Sequence, residues 1–276
     1  MSSLPAPEPL LPLAASIRTG IGGWTYPGWR GGVFYPPGLR PAEELAFAAR
    51  QVAAIEINAT YHRLQTPASF AAWRAATPEG FVFTLKGSRF VTNRKELASA
   101  EPALARFLGQ GFIELGDRLG PIVWQLMATK RFDPDDVAAF LAMLPAAHEG
   151  LPLRHAVEVG HETFACAEFV ALARRANVAV CFSDMAGRVA IADRTAGFAY
   201  ARLQRMEPEL PTGYPPERLG EFAALARAWS RGEAPQSWPY AGERSLGCIP
   251  GDVFLFFING AKERAPAAAK ALAALI

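Results

Sequence analysis

The sequence has few cysteines and no long apolar run. Its cysteines, Cys166, Cys181 and Cys248, include no Cys-x-x-Cys pair, and such a sparse, odd set does not build a disulfide framework. A reducing compartment is therefore favoured, and we expect a cytoplasmic protein. No stretch of about 18 apolar residues is present, so we expect no transmembrane helix and no membrane partner. Residues 1–16 combine prolines with a short apolar run and lack a basic segment, which is untypical of a signal peptide, so we expect a flexible arm there.

Histidine and excess charge are also scarce. The 276 residues include four histidines and carry a formal net charge of +2. A dedicated nucleic-acid binder usually has a strongly basic face, and a multi-zinc site usually gathers several histidines, so both classes are disfavoured. The hydrophobic fraction of 51% is enough for a sizeable core and excludes a disordered chain.

Eight β-compatible segments alternate mostly with helical segments. The predicted strands are residues 17–21, 53–58, 81–86, 121–126, 155–159, 178–182, 198–203 and 253–258. The predicted helices are residues 41–50, 68–75, 97–110 with a break at Pro102, 134–144 capped by Asp133, 166–175, 216–231 and 265–276. Alternation of this kind predicts a parallel sheet, and eight units over this length predict one α/β domain over residues 17–276, a (β/α)8 TIM-like barrel.

An open, doubly wound sheet is the alternative architecture. It usually carries a Gly-x-Gly-x-x-Gly turn after its first strand, and Gly20, Gly22 and Gly23 do not fit that spacing. The segment around residues 232–251 is rich in proline, serine and glycine. We expect a long loop there, either a flexible insertion or a lid.

Polar side chains recur at the carboxyl ends of the predicted strands from the second to the eighth. They are Glu56, Asn58, Lys86, Gln125, Glu158, Asp184, Arg202 and Asn259. Burying such a group without a partner costs about 1–3 kcal/mol, and more if it is charged. In a barrel these ends meet at one face, where such folds keep their active sites, so we predict that they converge on a single pocket. Alternatively, each is a local cap or a structural ion pair, such as Glu158 with Arg202.

Several segments resemble the YecE-like family, also called domain of unknown function 72. They are GGWTYPGWRGGVFYP, EINATYHR, FTLKGSRFVT, IVWQL, AVEVGHETF and YARLQ, in this order. The resemblance extends from about residue 17 to 276 and implies a TIM-barrel fold without an assigned reaction. Positions that match its pattern are Trp24, Tyr26, Trp29, Phe34, Tyr35, Pro36, Glu56, Asn58, Tyr61, Lys86, Thr92, Gln125, Glu158, His161, Asp184 and Arg202.

The chain also departs from that pattern. An arginine commonly stands two positions after the acid of the fifth strand, where this chain has Gly160. Asn93 replaces a histidine, Phe164 a tryptophan and Met127 a proline. The last strand differs as well, in the segment FFINGAKERAPAAAK. We therefore expect the part of the pocket that grips a substrate or phosphate to be altered.

The candidate catalytic residues are Glu56, Lys86, Glu158 and Asp184. With His161, the carboxylates offer ligands for a divalent metal, which is one option for a cofactor that is otherwise unknown. Without a metal, two carboxylates across the barrel resemble the pair of a glycosidase. A desolvated Lys86 can form a Schiff base with a carbonyl substrate. More simply, Lys86 neutralises the two glutamates.

The aromatic loop over residues 24–35 is either a plug over the barrel mouth or a stacking surface for a sugar or base. The candidate substrate-binding residues are Trp24, Tyr26, Trp29, Asn58, Tyr61, Gln125, His161, Arg202 and Asn259. Arg63, Arg89, Arg94 and Lys95 form either an anion-binding rim or an ordinary solvated surface.

Three functions fit these residues. The first is a hydrolase or lyase acting on a small polar, sugar-like or phosphorylated substrate by carboxylate and lysine acid–base chemistry. The second is a nucleic-acid-processing or nucleic-acid-binding barrel, which the near-neutral charge disfavours. The third is a non-catalytic protein that binds a small molecule. The sequence determines neither the reaction nor the oligomeric state.

Overall fold

Eight parallel strands close into a barrel in the computed structural model, which describes residues 15–244 and 249–276. The strands are β1 (Ile17–Gly22), β2 (Ala54–Ile57), β3 (Val82–Lys86), β4 (Leu119–Gln125), β5 (His155–Glu158), β6 (Ala179–Ser183), β7 (Ala199–Leu203) and β8 (Val253–Phe257). Each strand pairs with the next along the chain, and β1 pairs with β8 to close the ring. The prediction of a (β/α)8 TIM-like barrel is confirmed.

Helices connect most of the strands. The α-helices are α1 (Glu44–Ala48), α2 (Ala59–His62), α3 (Pro67–Ala75), α4 (Arg89–Thr92), α5 (Glu101–Leu108), α6 (Pro134–Met143), α7 (Ala167–Arg175), α8 (Pro216–Ser230) and α9 (Ala265–Ala274). Short 3-10 helices cover Pro27–Trp29, Pro41–Glu43, Leu97–Ser99, Phe112–Arg118, Glu162–Phe164 and Lys262–Arg264, and a small hairpin joins Ala147–His148 to Leu151–Pro152. Among the described residues, no helix is long and apolar enough to cross a membrane.

The sequence patterns located all eight strands to within two residues at each end. The Asp133 cap is confirmed, because its carboxylate accepts from the backbone N–H groups of Asp135 and Asp136. Pro102 does not break a helix as expected. It lies in the first turn of α5, where its missing N–H is not needed. The short helices α2 and α4 were not predicted, because four residues give no readable periodicity.

Two segments named in the sequence analysis lie partly outside the described residues. They are the arm over residues 1–16, of which 1–14 are not described, and the loop around 232–251, of which 245–248 are not described. The connection from β6 to β7, residues 184–198, contains no helix. It leaves the carboxyl end of β6 as irregular chain, and the loops at this end of such barrels build binding sites.

Alternation along the strands separates two faces of the sheet. One face packs against the helices and contributes to the large outer core, with residues such as Ile55, Leu85 and Val157. The other lines the barrel interior and begins with small or apolar residues. Those interior residues include Ala54, Val82, Val123, Ala156, Cys181, Tyr200, Phe254 and Phe256.

In six of the eight strands, β2 to β7, the interior residues become polar towards the carboxyl end. Because side chains two apart share a face, Ala54 is followed by Glu56, Ala156 by Glu158 and Tyr200 by Arg202. The same step leads from Val82 to Thr84 and then Lys86, from Val123 to Gln125, and from Cys181 to Ser183. The barrel therefore has an apolar layer towards its amino end and a polar layer towards its carboxyl end.

A glycine after β3 shows how tightly this end is packed. Gly87 donates its N–H to Val123 O at 2.9 Å, and a Cβ placed on it would lie 2.1 Å from the ring of Trp124. Trp124 is fully buried, so it has no space into which to move. The absence of a side chain at Gly87 thus allows β3 and β4 to approach directly after Lys86.

We predict that Gly87→Ala lowers the free energy of unfolding by about 1–3 kcal/mol, because the added methyl overpacks the ring of Trp124. Gly220→Ala in α8 is the matched control, since a Cβ there meets nothing within 4 Å. It should raise the free energy of unfolding by up to about 1 kcal/mol through helix propensity. Urea unfolding of both variants measures the difference, and equal stability of Gly87→Ala and wild type would contradict this packing.

Candidate functional site

A buried arginine between two buried glutamates forms the centre of the polar layer. Arg202 Nη2 donates to Glu56 Oε1 at 3.0 Å, its Nε donates to Glu56 Oε2 at 3.1 Å, and its Nη1 donates to Glu158 Oε2. Glu56 and Glu158 are fully buried, and Arg202 is 1% exposed. The planar guanidinium suits this arrangement because it offers parallel donors to one carboxylate and a further donor to the other. We call these three side chains the ion triad.

Neutral side chains satisfy the remaining carboxylate oxygens of the triad. Tyr200 donates its hydroxyl to Glu56 Oε2 at 2.8 Å and lies 2.9 Å from Thr84 Oγ1. Gln125 Nε2 donates to Glu158 Oε2 at 2.9 Å, and Gln204 Nε2 donates to Glu158 Oε1 at 3.0 Å. All four carboxylate oxygens therefore accept at least one hydrogen bond, as buried charges require.

Donors hold Glu158 in its ionised form. Burial alone would raise the pKa of this carboxyl, but the charges of Arg202 and Arg188 and the hydrogen bonds from Arg202 and Gln204 outweigh burial and lower its pKa. A carboxylate of this kind does not retain a proton at neutral pH. A glycosidase-like pair needs a general acid, and Glu158 does not suit that role because it stays ionised.

Asp184 and Asn259 join the triad through Gln204. Asp184 Oδ1 accepts from the backbone N–H of Gln204 at 2.6 Å, and its Oδ2 accepts from the Tyr214 hydroxyl at 2.7 Å. Asn259 Nδ2 donates to Gln204 Oε1 at 2.8 Å. Burial raises the pKa of Asp184, and the bonds from Tyr214 and Gln204 oppose that rise.

Lys86 lies beside the triad without joining it. Among the described residues, its amine has no hydrogen bond and no carboxylate oxygen within 4.0 Å, so Arg202 neutralises the two glutamates in the place expected for Lys86. The amine stands over the ring of Tyr61, 4.2 Å from its centre. Burial and the charge of Arg202 lower the pKa of Lys86 from 10.5 to about 8, against the opposing attraction of Glu56 and Glu158.

The aromatic loop over residues 24–35 divides into a buried base and a cavity wall. Trp29 is fully buried and donates its indole N–H to Lys262 O at 2.8 Å, so it supports the loop and cannot present a stacking face as predicted. Trp24 and Tyr26 are partly exposed and line a cavity of about 390 Å³ together with Asn58.

Lys262 also lines this cavity. The Lys262 amine stands 5.1 Å from the centre of the Tyr26 ring and 5.7 Å from that of Trp29, and burial lowers its pKa. We call this space, lined also by His62 and Arg63, the aromatic cavity. Only Asn58, Trp24 and Tyr26 of the predicted site residues line it, so the structure divides the predicted residues between separate places rather than gathering them in one pocket.

His161 stands apart from the ion triad. Its Nδ1 accepts from the backbone N–H of Thr163 at 3.2 Å, and its Nε2 lies 3.3 Å from Arg131 Nη1. Within the described ranges, 15–244 and 249–276, no three His, Cys, Asp or Glu side chains converge as metal ligands. The glutamate oxygens that the sequence offered to a metal are occupied by donors of the triad network instead.

The departure at Gly160 has a counterpart in the β6–β7 connection. The backbone N–H of Val189 donates to Gly160 O at 3.0 Å, and a Cβ at Gly160 would lie 3.2 Å from Arg188 Nη1. The family pattern has an arginine at this position, and here the guanidinium of Arg188, from the β6–β7 connection, lies over Gly160 instead.

Sequence reasoning missed four of the residues that build the site: Tyr200, Gln204, Arg188 and Lys262. Gln204 directly follows β7, so the rule that selected polar strand ends would have included it. Tyr200 was concealed because tyrosine is an ordinary β-strand residue. Arg188 and Lys262 lie on irregular chain or a 3-10 turn, where no periodicity indicates direction.

Comparison with known proteins gives a family and a fold. The sequence model of the family described as "Protein of unknown function DUF72" matches residues 18–276. A solved DUF72 family protein from Thermotoga maritima is 21% identical, with a TM-score of 0.69 over 94% of this chain and 98% of its own. One from Enterococcus faecalis is 14% identical, with a TM-score of 0.67 over 94% of each chain.

Similarity in fold extends further than the family. A B12-independent methionine synthase from a Shewanella species is 12% identical, with a TM-score of 0.50 over 95% of this chain and 96% of its own. At such identity the likeness concerns the fold alone. No protein with a curated description matches the chain.

We predict that Arg202→Met lowers the free energy of unfolding by about 3–5 kcal/mol, because it leaves two buried carboxylates without their cation. Replacing the whole triad, as Glu56→Leu, Arg202→Met and Glu158→Leu together, should recover part of that loss. The control is Arg231→Met, which removes an exposed pair with Glu233 and should change stability by less than about 0.5 kcal/mol. Denaturant unfolding checks the series, and a single Arg202→Met variant as stable as wild type would refute the role given to the triad.

Lys86→Met should stabilise the protein below pH 8, because the folded state holds a charged amine in an environment that disfavours it. The wild-type penalty, up to about 3 kcal/mol, is full below pH 8 and is relieved between pH 8 and 10.5, where the folded chain binds fewer protons than the unfolded chain. The gain from the substitution should therefore shrink over that range. Urea unfolding from pH 6.5 to 10.5 measures it. The exposed Lys270→Met is the control, and a gain that does not vary with pH would contradict the lowered pKa.

Proposed function

Because this chain belongs to the DUF72 family, whose function is unknown, we propose its function from the site alone. We propose that it is an enzyme, a lyase whose reactive group is the amine of Lys86. Its substrate is a small polar molecule with an aldehyde or ketone group. The observation that carries the proposal is a partly buried amine with a pKa of about 8 and no ion-pair partner among the described residues, directly beside the ion triad.

The state of the amine supports nucleophilic chemistry. With a pKa of about 8, roughly a quarter of the Lys86 side chains are neutral at pH 7.5, against about one in a thousand for an ordinary lysine. A neutral amine is the form that attacks a carbonyl carbon. Strongly perturbed pKa values gather at functional sites, and Lys86 stands where barrels of this kind keep their active sites.

The state of the two glutamates disfavours the hydrolase alternative. A paired-carboxylate hydrolase needs one carboxylic acid and one free carboxylate. Both glutamates are fully buried and bound to Arg202, and the pKa of Glu158 is lowered. Their negative charge opposes the effect of burial and of Arg202 on the Lys86 amine, and it attracts the positive charge that a protonated imine on Lys86 carries.

The proposed reaction proceeds through a protonated imine on Lys86 of a β-hydroxy aldehyde or ketone. The neutral amine adds to the carbonyl carbon, and the carbonyl oxygen leaves as water with one proton from the amine and one from solvent. The bond between the α and β carbons then breaks: its electron pair forms an enamine, and the β carbon leaves as an aldehyde after its hydroxyl proton passes to solvent water. The enamine takes up a proton at its α carbon and becomes a protonated imine again, and water adds to that imine, which releases the second product and a proton and restores the amine. The tyrosine ring under the amine, Tyr61, fixes its position from one side.

Trapping of the imine tests this function. Glycolaldehyde with sodium cyanoborohydride should modify Lys86 before Lys95, Lys130, Lys262 and Lys270, as read by peptide mass mapping. The rate at Lys86 should increase with pH up to an apparent pKa of about 8 and then level off, because only the neutral amine reacts.

Two controls accompany the trapping. Lys86→Met should abolish the early modification, whereas Lys270→Met, on the exposed side of α9, should leave it intact. Equal reactivity of all five lysines, or first modification at Lys262, would refute the role of Lys86. Such a result would favour a protein that binds a small molecule without turnover.

A further inference from the structure

A cavity of about 660 Å³ contacts the polar network around the ion triad at Ser183 and Asp184. Its walls are the end of β6, the β6–β7 connection, Arg205 after β7, residues 218–225 of α8 and residues 235–239 of the long loop. Ser183 and Asp184 stand at its inner end, and Ser183 Oγ accepts from Gln204 Nε2 at 2.8 Å, the amide that also binds Glu158. We call this space the arginine cavity, because Arg188, Arg205 and Arg218 line it.

Arg188 is the best-placed cation of this cavity. Its Nη1 is buried and has no hydrogen-bond partner among the described residues. The bond from Val189 N to Gly160 O fixes the backbone beside it, and the missing side chain at Gly160 leaves room for the guanidinium. Nη1 itself is closed off against Gly160, whereas Nε and Nη2 of the same guanidinium are not fully buried and also have no hydrogen-bond partner among the described residues. A charged donor without a partner favours binding of an acceptor, so these two donors are the ones that a ligand in the cavity can use.

The other two arginines add charge around Arg188. Arg205 is exposed, and its side chain has no hydrogen bond or ion pair within the described part of the chain. Arg218 is held by Glu221 at 2.5 Å, with its guanidinium 4.4 Å from the ring centre of Phe222 and 5.1 Å from that of Trp238. It is therefore fixed in direction before any ligand arrives, which lowers the entropy lost on binding.

The cavity keeps an excess of positive charge. Three guanidinium groups face two carboxylates, those of Asp184 and Glu221. Both oxygens of Asp184 are already occupied, by the N–H of Gln204 and the hydroxyl of Tyr214. Arginine forks match the oxygens of phosphate and carboxylate groups, so the free donors of the cavity are suited to a compact anion.

We propose that the arginine cavity binds an anionic group of the substrate, a phosphate monoester or a carboxylate, while its carbonyl group faces Lys86. The inference rests on the proposed function for the carbonyl end alone. The guanidinium of Arg188 extends from this cavity to Gly160, two residues after Glu158 of the ion triad, and Lys86 stands beside that triad. The substrate class is then a small aldehyde or ketone that also carries a phosphate or carboxylate.

Binding of inorganic phosphate tests the anion site without any reaction. At constant ionic strength, phosphate should raise Tm saturably by about 2–4 °C, and Arg188→Gln should weaken phosphate binding in calorimetry by roughly tenfold or more. Arg175→Gln, at an exposed arginine of α7, is the control and should bind as wild type does. Malonate in place of phosphate shows which anion is preferred.

Each outcome of the binding experiment is decisive. Stronger stabilisation by phosphate than by malonate assigns a phosphate monoester, and the reverse assigns a carboxylate. If neither anion raises Tm, or if Arg188→Gln and Arg205→Gln bind phosphate as tightly as wild type, the anion site is refuted.

Two further measurements separate this inference from the function of Lys86. Lys86→Met should still bind phosphate, because the amine is not part of the arginine cavity. In reductive trapping, glycolaldehyde phosphate should modify Lys86 faster than glycolaldehyde, and Arg188→Gln should remove most of that advantage. Failure of trapping with phosphate binding intact refutes the lyase alone, whereas trapping at Lys86 without any preference for the phosphorylated probe refutes the placement of the substrate's anionic group in the arginine cavity.

Discussion

The ion triad is the interaction on which the carboxyl end of this barrel depends. Arg202 comes from β7, Glu56 from β2 and Glu158 from β5, so three strands that are not neighbours are joined across the interior. Two carboxylates in such a place need a cation and a full set of donors. The donors Tyr200, Gln204 and Gln125 complete that set, so the triad is both a constraint on the barrel and a source of fixed charge.

That constraint assigns the available chemistry. The glutamates are committed to Arg202, which leaves them without free oxygens for acid catalysis or for a metal. The Lys86 amine is beside them without an ion pair of its own, and burial lowers its pKa. The stability that the triad supplies is partly offset by an uncompensated amine, and such a trade is common where a site is kept reactive.

The triad is connected to two cavities of different character: Asn58, two residues after Glu56, lines the aromatic cavity, and Gln204 links Glu158 to Ser183 of the arginine cavity. The aromatic cavity offers ring faces and Lys262, whereas the arginine cavity offers guanidinium groups from the β6–β7 connection and α8. In barrels of this kind, binding groups come from loops and reactive groups from strand ends. This chain follows that division, because Lys86 ends a strand and Arg188 lies on irregular chain.

The sequence alone determined the barrel and the ring of polar strand ends. The alternation of side chains along a strand can be read from the sequence, and it is sufficient to put Glu56, Glu158 and Arg202 on the interior face of the sheet. The sequence does not show which side chains pair across the barrel, because that depends on which of several cations lies next to the glutamates in space. In the closed barrel, Arg202 rather than Lys86 forms ion pairs with both acids, and only that closure brings Arg188 over the bare backbone of Gly160.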